Sequence, residues 1–337
     1  MNVTIKDIAQ IANVSHTTVS RALNDNTSIK QETRKRIQAI ARRMNYVPNY
    51  YARSLVLDKS YNIGLLFSTL DRGTSPDFFY NTVQGVIQTV GEKYNVIIKG
   101  VDTYNDLNSF NHKIFDGIVI MSQSVEDNAF IYKATEKNVP LVVLNRQIDD
   151  SQIPNIVSDD YTGAQAAVNY LISLGHCRIA LIEGKEEFKA SEKRKQGYLD
   201  ALINRNIPLR KEYMIKGYYD IESGYLAMKQ LLGLPNYPTA VFCSNDDMAM
   251  GSMKAIIEKG LQIPKDISVI GFDNNVASEF LSPALTTVKR DMTKMSSEGT
   301  KMLLKLIDKK TIEQNYLLLD TSLVIRNSTC ICIETEL

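Results

Sequence analysis

Residues 4–23 read Thr4-Ile5-Lys6-Asp7-Ile8-Ala9-Gln10-Ile11-Ala12-Asn13-Val14-Ser15-His16-Thr17-Thr18-Val19-Ser20-Arg21-Ala22-Leu23. Thr4 with Asp7 three residues on has the form of a capping box in which Asp replaces Glu, and Ile5, Ile8, Ala9 and Ala12 follow at helical spacing. Ser15 is placed to cap a second helix whose inner face is Val19, Ala22 and Leu23. Its outer face, His16, Thr17, Ser20, Arg21 and Asn24, has no apolar member. Two short helices joined by a tight turn, the second presenting small polar and cationic side chains, meet the needs of a duplex-reading element. Only a slim helix tip enters the major groove.

Working outward, the spacing predicts a third helix over about 32–44, with Ile37, Ile40, Ala41 and Met44 inward and Arg34, Lys35, Arg36, Arg42 and Arg43 on the other face. Three helices in so short a stretch make a core large enough only for a helical DNA-binding module. Tyr46-Val47-Pro48-Asn49 stops it, and Asn49 is placed to cap a fourth helix over 50–57 that includes Ala52, Arg53 and Leu55. A segment of that length does not hold a helix alone in water, so it is expected to order only on contact with something. Residues 1–60 carry ten Lys/Arg against four Asp/Glu, a charge of +6, while the remainder carries −5. A basic head on a mildly acidic body fits a head that meets a polyanion.

The 337 residues exceed the usual single-domain size, so two or three compact units are expected. Hydrophobic content of 44% and charged content of 23% are ordinary for a soluble globular protein, and no apolar run approaches the roughly 18 residues of a membrane span. The opening residues lack the apolar stretch of a secretion signal, which makes the cytoplasm the expected location. Cys243 lies in an apolar run and is expected to be buried. Cys330 and Cys332 have no His or second Cys pair nearby to form a zinc site, and no cofactor or metal is expected.

From residue 61 apolar runs of strand length alternate with helical stretches, at 62–67, 96–101, 117–121, 141–144, 179–182, 240–243 and 267–271. Near-continuous Val/Ile/Leu runs between helices predict an α/β fold of parallel strands covered on both faces. The length predicts two such lobes with a cleft between them.

With these elements in place, the chain resembles the LacI/GalR family of transcription regulators nearly end to end. The head resembles the family in Thr4–Ala9, in Val14-Ser15 through Thr18–Asn24, in Glu32-Thr33-Arg34, and at the hinge in Tyr46–Asn49 with Ala52–Leu55. The body does so in Leu174-Gly175-His176, Arg194–Tyr198, Ser244–Ala249, Ile270–Asp273 and Pro283–Val288. The resemblance implies a helix-turn-helix DNA-binding domain over 1–48, a hinge helix and linker over 49–60, and a periplasmic-binding-protein-like (type I) effector and dimerisation domain over 61–337. It implies discontinuous lobes, about 61–160 with 291–319 and about 161–290 with 320–337, and chain crossings near 158–162, 288–292 and 318–321.

By the same resemblance His16, Thr17 and Arg21 stand at base-reading positions, where Arg21 can make a bidentate contact to guanine. Ser20, Asn24, Thr33, Tyr46 and Asn49 would hold phosphates, with Ile5, Ala52 and Arg53 also at the DNA. Leu55 fits the position of a wedge that kinks the minor groove. Paired hinge helices imply a homodimer on a near-palindromic double-stranded operator. Candidates for a small-molecule effector, a sugar or sugar derivative, are Phe78, Phe79, Arg146, Arg194, Tyr219, Asn245 and Asp273. Asn245 and Asp273 end buried apolar runs, at the strand edges where open α/β sheets bind ligands. Asp77 and Asp291 depart from the family pattern, each where relatives often have Pro.

The function this implies is a ligand-controlled transcriptional repressor of carbohydrate-utilisation genes. The alternatives are a global carbon regulator with a protein co-effector and a solute-binding protein. An enzyme is not expected: there is no Walker lysine motif, no G-x-G-x-x-G after a strand and no G-x-S-x-G elbow. Only three His occur, and His176 is read as structural.

Overall fold

The computed structural model describes residues 3–23, 28–44, 46, 59–71, 73–104 and 113–332. The chain divides into two compact units, Met1–Lys59 and Ser60–Leu337. Asn24, Asn49, Ala52, Arg53 and Leu55 lie outside the described residues.

The first unit contains helices α1 (Ile5–Ala12), α2 (His16–Leu23) and α3 (Gln31–Arg43). The capping box closes as its spacing demands: the Thr4 backbone N–H donates to Asp7 Oδ2 at 2.7 Å, and the Asp7 N–H donates to Thr4 Oγ1 at 3.4 Å. Ser15 Oγ accepts from the Thr18 N–H at 3.1 Å at the start of α2. Ile8, Val19, Ala22 and Ile37 are wholly buried and, with Ala9, Ala12 and Ala41, form the core. Arg36 donates to the Ala12 carbonyl at 2.9 Å, so one cation of the basic face satisfies an orphan carbonyl at the end of α1.

The second unit is two six-stranded sheets sheathed in helices. In the first sheet, β1 (Asn62–Phe67), β2 (Asn95–Gly100), β3 (Gly117–Met121), β4 (Leu141–Leu144), β5 (Asn155–Ser158) and β11 (Tyr316–Leu319) are all parallel, in the order β11-β5-β4-β3-β1-β2. In the second, β6 (Ile179–Glu183), β7 (Met214–Lys216), β8 (Ala240–Cys243), β9 (Ser268–Asp273) and β10 (Thr286–Lys289) are parallel, and β12 (Ser322–Val324) pairs antiparallel to β10, in the order β12-β10-β9-β8-β6-β7. Helices α4 (Pro76–Val90), α5 (Asn128–Glu136) and α11 (Met292–Ile307) belong to the first lobe. Helices α6 (Asp160–Ser173), α7 (Lys189–Asn204), α8 (Ile221–Leu232), α9 (Asp246–Glu258) and the single turn α10 (Ala277–Phe280) belong to the second.

Every predicted run forms a strand, and five strands without such a run join them: β5, β7, β10, β11 and β12. They are short, and β7, β11 and β12 are only partly buried, so they lack the unbroken apolar signature of a strand covered on both faces. The chain passes between the sheets three times, after β5, after β10 and after β11. Two glycines admit close approach near the cleft. A Cβ at Gly184 would lie 2.1 Å from the Tyr219 ring, and one at Gly271 would lie 2.1 Å from Asp246 Oδ1.

His176 is fully enclosed, with Nδ1 3.0 Å from Thr239 Oγ1 and Nε2 3.0 Å from Ser268 Oγ. It ties β8 and β9 together. Cys243 is buried in the second-lobe core, and all four cysteines are free thiols. Asp291 caps α11 by accepting from the Lys294 N–H at 2.8 Å.

Candidate DNA-reading face and effector cleft

In the first unit His16, Thr17 and Arg21 are exposed on α2, while Ser20 and Thr33 are half-buried. The reason is periodicity: Val19 and Ala22 turn into the core, which leaves 16, 17 and 21 on the opposite side of the helix. Ile5 and Tyr46 pack against the core.

In the second unit, a narrow cleft opens between the lobes. The first lobe lines it with Gly73, Ser75, Phe78, Gln123 and Asn145, the second with Phe188, Ala190, Arg194, Tyr219, Asn245 and Asp273, and Arg290 enters from the second crossing. Strand ends supply most of the polar groups. Asn145, Asn245 and Asp273 follow or end β4, β8 and β9, at the carboxyl edges of parallel strands.

A four-charge network sets the chemistry of the floor. Arg194 is 1% exposed and lies 3.2 Å from Asp160 and 3.6 Å from Asp273. Arg290 lies 3.2 Å from each of the same two carboxylates, and its Nη2 donates to Asn145 Oδ1 at 2.5 Å. Arg194 Nη1 also donates to the Ser244 carbonyl, and its guanidinium covers the Phe272 ring at 3.9 Å. Burial works against the Arg194 charge, but Asp160 and Asp273 outweigh it and raise its pKa, so it stays protonated.

The aromatic walls are also held. Tyr219 stacks on Phe188 with ring centroids 6.0 Å apart at 18°, and its hydroxyl lies 2.6 Å from Ser191 Oγ. Asn245 caps α9 by accepting from the Met248 N–H at 2.9 Å, and its Nδ2 donates to the Tyr219 carbonyl at 3.0 Å. Capping is therefore one of its roles, and its place in the cleft wall is another. Backbone in the left-handed region gathers here: Asn145 has φ 72°, Tyr219 φ 65° and Asp273 φ 105°. Such conformations cost on the order of 1–3 kcal/mol each and concentrate at functional sites.

Of the predicted effector residues, the structure brings Phe78, Arg194, Tyr219, Asn245 and Asp273 to this cleft. Phe79 instead packs beside Phe67, with centroids 5.3 Å apart, and Arg146 turns into a neighbouring groove. The unpredicted Gln123, Asn145, Phe188 and Arg290 join the lining. The strand-end rule that selects Asn245 and Asp273 applies equally to Asn145 and Gln123. Phe188 and Arg290 carry no local signal.

Carboxylates crowd the rim. Burial, and then the nearby Asp273, Asp77 and Asp220, push Asp247 up to about 6, and Asn275 Nδ2 donates to it at 3.2 Å. Burial pushes Asp246 well above the usual range, although Thr287 and the Asn275 N–H hydrogen-bond it. Burial and Asp273 also raise Asp77, which stands on the opposite lobe. A carboxyl raised in the folded state contributes full stability below its unfolded value of 3.8, and that contribution is lost as pH rises through about 6. Asp247→Asn is accordingly expected to stabilise the protein by about 1–3 kcal/mol at pH 8 and far less at pH 4. Paired urea melts of wild type and variant at the two pH values check this, and an equal difference at both would refute it.

A helical reading head and a two-lobed α/β body with a polar cleft define a class, the ligand-responsive bacterial DNA-binding regulators. Residues 4–49 match the family described as "Bacterial regulatory proteins, lacI family", and residues 168–329 match "Periplasmic binding protein-like domain". The chain is 53% identical over 326 residues to the probable HTH-type transcriptional repressor ExuR of Bacillus subtilis (strain 168), covering 97% of this chain and 98% of the other. Its structure is similar to a lac repressor dimer bound to operator and the anti-inducer ONPF (TM-score 0.83, 28% identity, 98% of this chain and 100% of that one). It is also similar to the transcriptional regulator CelR in complex with cellobiose (TM-score 0.74, 25% identity, 97% and 100%). The chain belongs to the lacI family of bacterial regulatory proteins and is a sequence-specific DNA-binding transcriptional repressor.

Proposed function

We propose that this repressor controls carbohydrate-utilisation genes and takes its signal from a sugar or sugar derivative held in the inter-lobe cleft by Phe78, Arg194, Tyr219, Asn245 and Asp273, with Asn145 and Arg290 completing the polar set. The observation that carries the reading is the cleft itself: stacked aromatic faces beside a charged network of the second lobe that Asn145 of the first lobe ties down by accepting from Arg290. Sugars present flat C–H faces and vicinal hydroxyls, which such walls match. Two solved relatives hold saccharide-type ligands, cellobiose in CelR and ribose in a regulator from Enterococcus faecium.

Residues 1–48 read DNA, 49–60 link, and the two lobes move about the three crossings. A ligand gripped by both lobes biases their spacing and so the grip of a paired head on its operator, since it can shift the equilibrium only by its differential affinity for the two spacings. The working unit is a homodimer on a near-palindromic site, as in the operator-bound lac repressor dimer. The protein acts in the cytoplasm, where its DNA lies, and performs no catalysis.

Arg21→Ala should cost about 1–3 kcal/mol of operator affinity and relax selectivity at one base pair per half-site. Fluorescence anisotropy on a set of single-substitution operators tests this. Unchanged selectivity would remove Arg21 from base reading.

A further inference from the structure

A second groove, open to solvent and with room for about 520 Å³, runs beside the cleft. The first lobe contributes Asn128, Tyr132, Arg146, Ile148, Val157 and Tyr316, and the second contributes Lys189 and Lys193 from the start of α7. Arg146 is 5% exposed, yet no carboxylate among the described residues lies within ion-pair distance of it. Its Nε donates to Ser122 Oγ at 2.9 Å and its Nη2 to Asn128 Oδ1 at 2.7 Å. Asp127 lies one hydroxyl further on, accepting from Ser122 Oγ at 2.6 Å.

A guanidinium has five N–H bonds. Two are used by these neutral acceptors; among the described residues the other three, including both on Nη1, have no acceptor, and Arg146 lines the groove. Desolvation without a direct counter-charge is costly for a cation, and a planar N–H fork is the donor that matches carboxylate and phosphate oxygens. The groove also holds carboxylates: Asp149 and Glu192 are exposed, the latter paired with Lys189, while Asp159 caps α6 and Asp160 belongs to the cleft network. None of them reaches Arg146. Ile148, Val157, Leu318 and the half-open ring of Tyr316 give the groove an apolar wall.

We propose that this groove is a second ligand site, taking the phosphate or carboxylate of a small organic anion on Arg146, with its carbon skeleton against Tyr316 and with Lys193 closing over it from the other lobe. Because the anion touches both lobes, its occupancy is a second input to operator affinity, coupled to the cleft through the same lobe spacing. The chain contains no tryptophan, so Tyr316→Trp supplies a single fluorescent reporter inside the groove.

The experiment titrates the full-length Tyr316→Trp protein with glucose 6-phosphate, gluconate and inorganic phosphate, with glucose as the neutral control. The emission is expected to respond to at least one anion and not to glucose, and the winning anion separates a phosphate site from a carboxylate site. Adding Arg146→Gln should abolish the response, and adding the exposed Lys193→Glu, which leaves the buried groups untouched, should weaken binding by about tenfold. A Leu209→Trp reporter, at an exposed position outside the linings of the groove and the cleft, should stay silent. The proposal is overturned if no anion moves the emission of the groove reporter, if glucose moves it equally, or if both charge variants leave it unchanged. Each of those results leaves the cleft reading standing, because that reading turns on Asp273.

Discussion

Arg194→Met should lower the folding stability of the full-length protein by about 3 kcal/mol, at the lower edge of what breaking a buried ion pair costs. Methionine fills much of the same volume, so the loss is electrostatic. Asp160 and Asp273 would then share one cation, Arg290, in place of two, in surroundings where Asp160 is 4% exposed. The Ser244 carbonyl would also lose a donor and the Phe272 face its cation. Arg194→Lys keeps the charge but not the fork that reaches Asp160 and Ser244 together, and is expected to fall between Met and wild type. Urea denaturation followed by far-UV circular dichroism measures all three. A methionine variant within about 0.5 kcal/mol of wild type would show that the network does not support the lobe, since substitutions at tolerant sites have effects of that size.

Asp273→Ala carries the largest functional effect. Its carboxylate is the one member of the network that combines partial exposure, 18%, with a left-handed backbone and a place in the cleft wall. A hydrogen bond from a ligand hydroxyl to a charged group contributes about 1.5–3 kcal/mol, so effector affinity should fall by roughly tenfold to a hundredfold. Operator binding in the absence of effector should persist, because the residue lies in the second unit while the reading helices belong to the first. A gel-shift titration with the sugar that moves the wild-type protein compares the two. A variant that answers that sugar normally would exclude Asp273 from the site.

The head was legible because its contacts are local. Thr4 with Asp7, and Ser15 with Thr18, are hydrogen bonds across three residues, and Ile8, Val19 and Ile37 bury themselves by helical period alone. Six of the seven predicted strands were legible for a related reason, since coverage on both faces requires an unbroken apolar run, while the seventh, the edge strand β2, carries such a run although it is only partly buried. Edge and crossing strands escape that rule. Tyr316 and Leu318 on β11 remain well exposed, and Thr286 and Thr287 on β10 are buried as polar residues through bonds to the 328–329 segment and Asp246.

From the order of residues alone came the helical reading head, the two-lobed α/β class and the strand-end positions of Asn245 and Asp273. Each rests on periodicity or on chain direction, which are properties of neighbouring residues. Only the folded chain decided that Arg290 and Arg194, almost a hundred residues apart, share Asp160 and Asp273, and that Arg146 faces a groove of its own. The physical reason is that a charge chooses its partner through space. Asp160 meets Arg290 across a chain crossing, where sequence separation bears no relation to distance.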